Sequence, residues 1–245
     1  MSNVAVVTGG ASGIGKAISE KLAASGKSVA LLDMNGDLGQ QTTKELHAAG
    51  LKASAYQVDI TDVAALAATR QRIVSDLGTP NVVVNCAGWS VIEPFLKTDA
   101  AFWKKAIDVN LMGTIATTRT FLDDLISAGG GSIVNVASDA GRVGSTGEVV
   151  YSAAKGGVMA FTKALAREMA RNQIRVNCVC PGPTATPMLL VQDQQRIDAL
   201  TKAVPMRRLA QPSDIANAVE FFASPASSYI TGQILSVSGG LTMAG

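Results

Sequence analysis

The chain has 245 residues, of which 47% are hydrophobic and 16% charged, with 24 glycines and a formal net charge of +2. That length suits one α/β domain with a large core, and that balance excludes a disordered or coiled-coil chain. The small net charge and 4% aromatic content leave no footprint for nucleic acid or an anionic membrane surface.

Met1-Ser2-Asn3 runs directly into Val4-Ala5-Val6-Val7, with no basic region followed by an apolar one. No apolar run approaches the roughly 20 residues that span a bilayer, so a cytoplasmic protein with no membrane partner is expected. The apolar, β-branched runs 3–8, 28–33, 52–58, 81–85, 131–137, 174–179 and 234–238 read as strands. The alanine-rich stretches 14–25, 62–77, 102–128, 149–171 and 212–223 read as helices. This alternation predicts βαβ units and a doubly wound parallel sheet of about seven strands, buried on both faces by helices. No repeat or low-complexity linker interrupts it, so residues 1–245 are expected to form a single domain. The least regular stretch, about 183–210, follows the sixth strand and is a natural substrate-covering lid.

The segment Thr8-Gly9-Gly10-Ala11-Ser12-Gly13-Ile14-Gly15 follows the first strand and opens the first helix. Glycines there permit a tight turn and let backbone amides approach a pyrophosphate at the helix N-terminus. The spacing differs from the commoner G-x-G-x-x-G fingerprint, and a plain strand-to-helix connection would also use glycine. Asp33 ends the second strand, where a carboxylate accepts hydrogen bonds from adenosine ribose hydroxyls and repels a 2′-phosphate. Met34 follows with no Arg or Lys nearby in sequence, which favours NAD over NADP; a turn aspartate ahead of Asn35-Gly36 is the other reading. Asp59, after the third strand, is placed to contact adenine. Asn85-Cys86-Ala87-Gly88 ends the fourth strand beside the expected cofactor.

The three cysteines, Cys86, Cys178 and Cys180, suit a reducing compartment. Cys178 and Cys180 alternate along an apolar strand and read as buried small hydrophobes, and no metal site is expected. His47, the single histidine, sits in the polar helical stretch 41–49 and reads as a surface residue, which leaves a histidine-dependent triad without support. Tyr151 and Lys155 stand four residues apart, on one side of a helix. An ammonium beside a phenol favours the phenolate and draws a pKa of about 10 toward working pH. Tyr151 would then accept or donate a proton. Such a pair also arises by chance on amphipathic helices.

Taken together, the glycine turn and the Tyr151/Lys155 pair resemble the short-chain dehydrogenase/reductase family in its classical form, over essentially the whole chain. The resemblance implies a Rossmann-type fold. The family pattern Thr-Gly-x-x-x-Gly-x-Gly stands at Thr8–Gly15, and Asn-x-Ala-Gly at Asn85–Gly88 with Cys86 where a second Asn is usual. Asn110 in Asp108-Val109-Asn110, Ser138 at the end of the fifth strand, and Pro181-Gly182 with Thr186 also match. In the ending Gly232–Gly240, Ser238 replaces a frequent Asp.

The resemblance implies that Tyr151 exchanges the substrate hydroxyl proton while hydride passes between carbon and a nicotinamide. Lys155 would lower the Tyr151 pKa and hold the nicotinamide ribose, Ser138 would bind the substrate oxygen, and Asn110 would fix a relay water. The implied cofactor shell comprises Gly9, Ser12, Gly13, Ile14, Gly15, Asp33, Met34, Asp59, Ile60, Asn85, Ala87, Gly88, Tyr151, Lys155, Pro181, Gly182, Thr184 and Thr186. The resemblance also implies a homotetramer built through helices in 102–128 and 149–171.

Within the family, the stretches 85–89, 138–145, 180–184 and 238–243 are similar to those of dehydrogenases that oxidise 2-hydroxycyclohexanecarboxyl-CoA with NAD. An acyl-CoA is therefore the expected small-molecule partner. Trp89 is a candidate wall for an alicyclic ring and Arg142 a candidate contact for a polar acyl group, although both also read as packing or surface residues. Lys202, Arg207 and Arg208 read as a solvated basic patch more than as contacts for coenzyme A phosphates. A 3-oxoacyl-ACP or acetoacetyl-CoA reductase is the alternative within the same chemistry. A silent NAD-binding regulator is the alternative outside it.

Overall fold

The computed structural model describes residues 3–243. Seven strands, β1 (Val4–Thr8), β2 (Ser28–Asp33), β3 (Ala53–Gln57), β4 (Pro80–Asn85), β5 (Gly131–Val136), β6 (Ile174–Pro181) and β7 (Ile234–Val237), form one sheet. Its order is β3-β2-β1-β4-β5-β6-β7, and every pairing is parallel. The order reverses between β1 and β4, so the chain leaves these neighbouring strands in opposite directions and opens a crevice beyond their C-terminal ends. Thr8 pairs with Asn85 at that point. The glycine turn and the Asn85–Gly88 segment therefore both border the crevice.

The helices are α1 (Gly13–Ala24), α2 (Gly36–Ala48), α3 (Val63–Leu77), α4 (Ala100–Ile107), α5 (Gly113–Ser127), α6 (Ala140–Val143), α7 (Val149–Met169), α8 (Pro187–Leu190), α9 (Gln194–Ala203) and α10 (Pro212–Ala223). Successive strand residues point to opposite faces. Ala5 and Val7 pack with Ile18 and Leu22 of α1, Leu46 of α2, and Val219 and Phe222 of α10. Val4 and Val6 instead pack with Leu66 and Ile73 of α3, Phe121 and Leu125 of α5, and Leu165 of α7. Each fully buried Leu, Ile or Phe contributes roughly 1.5–3 kcal/mol, so these two layers hold the strand ends rigid beneath the crevice.

The strand pattern agrees with the sequence reading, with ends displaced by one or two residues. The helix expected over 102–128 forms as one uninterrupted helical run from Ala100 to Ser127, in which α4 and α5 are joined through a π-helical turn, Asp108–Met112. The Asn110 side chain lies in that turn, and its Nδ2 donates to the carbonyls of Ala106 (2.9 Å) and of Trp89 (2.7 Å), the former in competition with the regular backbone ladder. Gly113 then packs against Ile60, whose Cδ1 would lie 2.4 Å from a Cβ at that position. The 183–210 excursion carries α8 and α9 and returns to the sheet by a bridge between Thr184 and Ala210. No helix of the described residues is long and apolar enough to cross a membrane.

Candidate active site

The glycine turn is shaped by close approaches. A Cβ at Gly9, where φ is +64°, would lie 2.9 Å from the Ala87 Cα. The Thr8 hydroxyl accepts from the amides of Cys86 (3.0 Å) and Ala87 (3.1 Å), tying the two crevice edges together. Ser12 precedes α1 without capping it by a side-chain bond, so the dipole and first amides of a long helix remain available to an anion. Thr186 lies over Gly13, its Cγ2 3.4 Å from where a Cβ would be. Ile14 is partly buried against the core of the α1 face.

Asp33 remains partly exposed at the end of β2, accepting from the amides of Ala11 (3.2 Å) and Asn35 (3.0 Å). Met34 beside it is 65% exposed, an apolar side chain with nothing of this chain covering it. Asp59 forms an Asx turn, accepting from the Thr61 amide and hydroxyl (both 2.8 Å), and Ile60 is buried. A depression of about 400 Å³ is bordered by Asp33, Asn35, Gly36, Gln57 and Arg72. Arg72 corrects the expectation that no cation stands near Asp33. It arrives from α3, its guanidinium 5.3 Å above the Tyr56 ring, and was invisible to a reading confined to the sequence neighbours of Asp33.

The resident chemistry of these residues fits a dinucleotide: an uncapped helix N-terminus for a pyrophosphate, a half-exposed carboxylate for ribose hydroxyls, and an exposed apolar side chain for a base. Two side chains expected in the cofactor shell, and the backbone of two further residues, are committed elsewhere. Asn85 is buried and its Nδ2 donates to Thr118 (2.9 Å) and Asn135 (2.8 Å), so its amide serves the core. The Thr184 hydroxyl donates to the Gly182 carbonyl at 2.9 Å. Pro181 and Gly182 are held by the sheet, with the Gly182 amide bonded to Val237 (3.0 Å) and the Pro181 carbonyl accepting from Asp139 (3.1 Å).

Tyr151 and Lys155 do share one side of α7, and Ser138 meets them from the end of β5. Ser138 hydrogen-bonds the Tyr151 phenol. The Lys155 ammonium is buried, donates to the Val136 carbonyl at 2.9 Å, and lies 5.7 Å from the Tyr151 ring centroid. Gly88 lies beside both Asn110 and Lys155: a Cβ there would be 3.0 Å from Asn110 Oδ1 and 3.6 Å from Lys155 Nζ. Asn110 is fully buried and clasps Trp89 in both directions, its Oδ1 accepting from the Trp89 amide (3.1 Å). Both Nδ2 hydrogens and one lone pair of Oδ1 are thus engaged, and the Asn110 side chain fixes Trp89.

The expected depression of the Tyr151 pKa is not what this cleft produces. Burial dominates and pushes the phenol up to about 12, with the Ser138 bond pulling down and Glu148, Cys86 and Cys180 pushing further up. The Lys155 ammonium lies over the ring, 5.7 Å from its centroid, and its own burial lowers its pKa. Surrounded by these groups, Tyr151 is a neutral hydrogen-bonding phenol at neutral pH. With tyrosine labelled by carbon-13, the resonance missing from Tyr151→Phe should remain that of a neutral phenol at pH 10; a phenolate at pH 9 would contradict this.

Trp89, Phe102, Ser90, Glu148 and Tyr151 line a cleft in front of the phenol. Trp89 and Phe102 meet edge to face at 5.1 Å, and the Lys105 ammonium lies 4.5 Å above the Trp89 ring. Trp89 is thus brought to the site as expected. Arg142 is not: its guanidinium donates to the Ile234 carbonyl of β7, which commits it to packing the β5–α6 loop onto the sheet. The basic residues near the lid are likewise drawn into local contacts. Arg208 pairs with Asp214 (2.6 Å), and Arg207 donates to the Lys202 carbonyl (2.6 Å). Cys178 and Cys180 are buried as expected, their sulfurs 4.0 Å apart. His47 is exposed, with Nε2 2.8 Å from the Ala53 carbonyl. Among the described residues no cluster of His, Cys, Asp or Glu is arranged to hold a metal ion.

Thr8, Phe102, Lys105 and Glu148 were not singled out as site side chains by the sequence reading. Glu148 alone offered a local signal, since it lies one helical turn ahead of Tyr151.

A glycine turn at the reversal point of a parallel sheet, facing a serine–tyrosine–lysine cluster, defines the class of dinucleotide-linked α/β oxidoreductases. Comparison with known proteins agrees. A family model described as Enoyl-(Acyl carrier protein) reductase matches residues 9–242. The human (3R)-3-hydroxyacyl-CoA dehydrogenase is 39% identical, over 99% of this chain and 96% of its own. The acetoacetyl-CoA reductase of Allochromatium vinosum is 36% identical, over 99% and 100%. A solved actinorhodin polyketide ketoreductase with NADPH superposes with a TM-score of 0.94 at 35% identity, covering 98% of this chain and 97% of that one. The chain belongs to the short-chain dehydrogenase/reductase family, whose members are oxidoreductases that bind a nicotinamide cofactor.

Proposed function

We propose that the protein interconverts a β-hydroxyacyl thioester and its β-keto form, with NAD as cofactor and coenzyme A as the acyl carrier. The observation that carries this reading is the convergence of Ser138, Tyr151 and Lys155 on one crevice, beside a cleft walled by Trp89 and Phe102. When bound, the nicotinamide would accept hydride from the carbinol carbon or return it to the ketone. Tyr151 takes the hydroxyl proton during oxidation and returns it during reduction. Ser138 holds the substrate oxygen as its charge changes. Lys155, fixed by the Val136 carbonyl, positions the ribose of the cofactor and favours the phenolate once the cleft is filled. Asn110 fixes a water that relays protons from Lys155 to solvent.

Trp89 supports an alicyclic acyl group, and 2-hydroxycyclohexanecarboxyl-CoA is the substrate proposed within the class. The names of the relatives support the wider class, in which linear 3-hydroxyacyl-CoA, acetoacetyl-CoA and acyl-carrier-protein thioesters are also found. A spectrophotometric screen of NAD and NADP against alicyclic and linear hydroxyacyl-CoA panels tests the assignment. Turnover is expected with NAD and a hydroxyacyl-CoA. Cofactor binding without turnover of any β-hydroxyacyl thioester or secondary alcohol would favour the regulator.

A reductase working with NADPH is the second reading, favoured by the NADPH in the structural relative and by Arg72 on the Asp33 depression. The Asp33 carboxylate opposes it, since a 2′-phosphate would face a like charge. Replacing Asp33 by Ala should reduce the NAD-over-NADP ratio of kcat/KM by about tenfold or more, with Arg72 then free to attract the phosphate. An unchanged ratio would locate specificity elsewhere.

The proposal includes a cytoplasmic homotetramer assembled through α4, α5 and α7. Trp103, Met112, Ile126 and Val149 are exposed on or beside these helices and would be covered. Light scattering coupled to size exclusion should give four times the chain mass; a monomer would remove this element.

A further inference from the structure

We propose that Glu148 is a positioning residue for the reaction, holding the two walls of the substrate cleft together through Ser90 and Ser145. This rests on the assignment of Tyr151 as the proton-transfer group. Glu148 Oε1 accepts from the Ser90 hydroxyl and Oε2 from the Ser145 hydroxyl, both at 2.7 Å. Ser90 belongs to the segment after β4 and follows Trp89, itself clasped by Asn110. Ser145 belongs to the segment between α6 and α7, whose backbone also turns onto Glu148, the Glu148 amide donating to the Ser145 carbonyl at 3.0 Å.

A second contact closes the same seam. The Glu93 amide donates to the Gly147 carbonyl at 2.9 Å. A Cβ at Gly147, where φ is +79°, would lie 2.8 Å from Ile92 Cγ2. One carboxylate thus spans the cleft beside this close approach. The Glu148 amide carbonyl accepts from Ser152 (2.7 Å), starting the helix that carries Tyr151 one turn later.

Both Glu148 oxygens are satisfied by neutral hydroxyls, and none of the described ion pairs includes it. Its charge therefore acts on Tyr151 and opposes the phenolate. The other titratable groups around this seam are Glu93 on the first wall, Lys105 of α4, Lys155 of α7, and the Cys86 and Cys180 thiols at the strand ends.

Two substitutions separate these roles. Glu148→Gln keeps an acceptor for one serine and supplies a donor to the other, while removing the charge. Its KM for the acyl thioester should stay within about twofold, and the midpoint of the pH–rate profile for alcohol oxidation should move down by several tenths of a unit. Glu148→Ala cuts both arms, and its KM should rise about tenfold with a smaller change in kcat. If that variant does not fold, Ser90→Ala and Ser145→Ala each remove one arm and should each raise KM a few-fold.

A Glu148→Gln profile superimposed on wild type would overturn the electrostatic role. Wild-type KM in Glu148→Ala, or in both serine variants, would overturn the seam. If wild type is inactive, or Tyr151→Phe active, the Tyr151 assignment fails and this inference with it. If those controls hold and the Glu148 variants match wild type, the inference alone fails.

Discussion

Tyr151→Phe should lower turnover by about 10²–10⁴-fold while changing NADH affinity by less than about twofold. The substitution removes one oxygen and keeps the ring, which the Lys155 ammonium overlies at 5.7 Å. Ser138 loses its phenol partner but remains half-exposed at the end of β5, where its oxygen still accepts from the Ala140 amide at 3.2 Å. In the proposed function the glycine turn, Asp33 and Lys155 hold the cofactor, and the substitution leaves each of these side chains in the sequence. Steady-state rates alongside NADH fluorescence titration would check it. Residual activity above a few per cent would remove Tyr151 as the acid and base.

The second large effect should come from Gly15→Ala. A Cβ there would lie 1.9 Å from the Gly9 carbonyl oxygen and 2.7 Å from its carbon. Both are backbone atoms of the turn, so no side-chain rotation relieves the overlap and the turn must open. Overpacking of this kind typically costs about 1–3 kcal/mol, and about 1 kcal/mol is roughly 2–4 °C in Tm for a domain of this size. Opening the turn also displaces the amides proposed to bind a pyrophosphate, so NADH affinity should fall at least about tenfold. Differential scanning fluorimetry with and without NADH reads both quantities. A variant with wild-type Tm and affinity would show that this turn does not grip the cofactor.

The sheet was legible because its strands are continuous apolar runs separated by helix-length segments, and burial on both faces writes that pattern directly into composition. Tyr151 and Lys155 stood out because a four-residue helical spacing is a local feature, whereas Ser138 was picked out through the resemblance to the family. What was not legible depends on contacts between distant segments. Asn110 places a π-helical turn inside the helix expected over 102–128, its amide bonded to carbonyls of Trp89 and Ala106, and no periodicity encodes those contacts. Arg142 turns away from the cleft to a carbonyl of β7, and Arg72 reaches the Asp33 depression from another helix. The Tyr151 pKa was misjudged for a related reason. Spacing gives the presence of Lys155, whereas the sign of the shift follows from burial and from where the ammonium stands over the ring.

That distinction bears on how the site would work. Burial pushes the Tyr151 phenol up to about 12, so the assignment requires ligand binding to lower that value. The central claim is that Tyr151 exchanges a proton with a β-hydroxyacyl thioester while a nicotinamide carries the hydride. The most direct measurement is absorbance at 340 nm after mixing wild-type protein with NAD and a panel of alicyclic and linear β-hydroxyacyl-CoA thioesters, alongside Tyr151→Phe. NADH formation by wild type with at least one thioester, and none by the variant, is the predicted result. No absorbance change with any thioester under NAD or NADP, or equal rates for the two proteins, would contradict it.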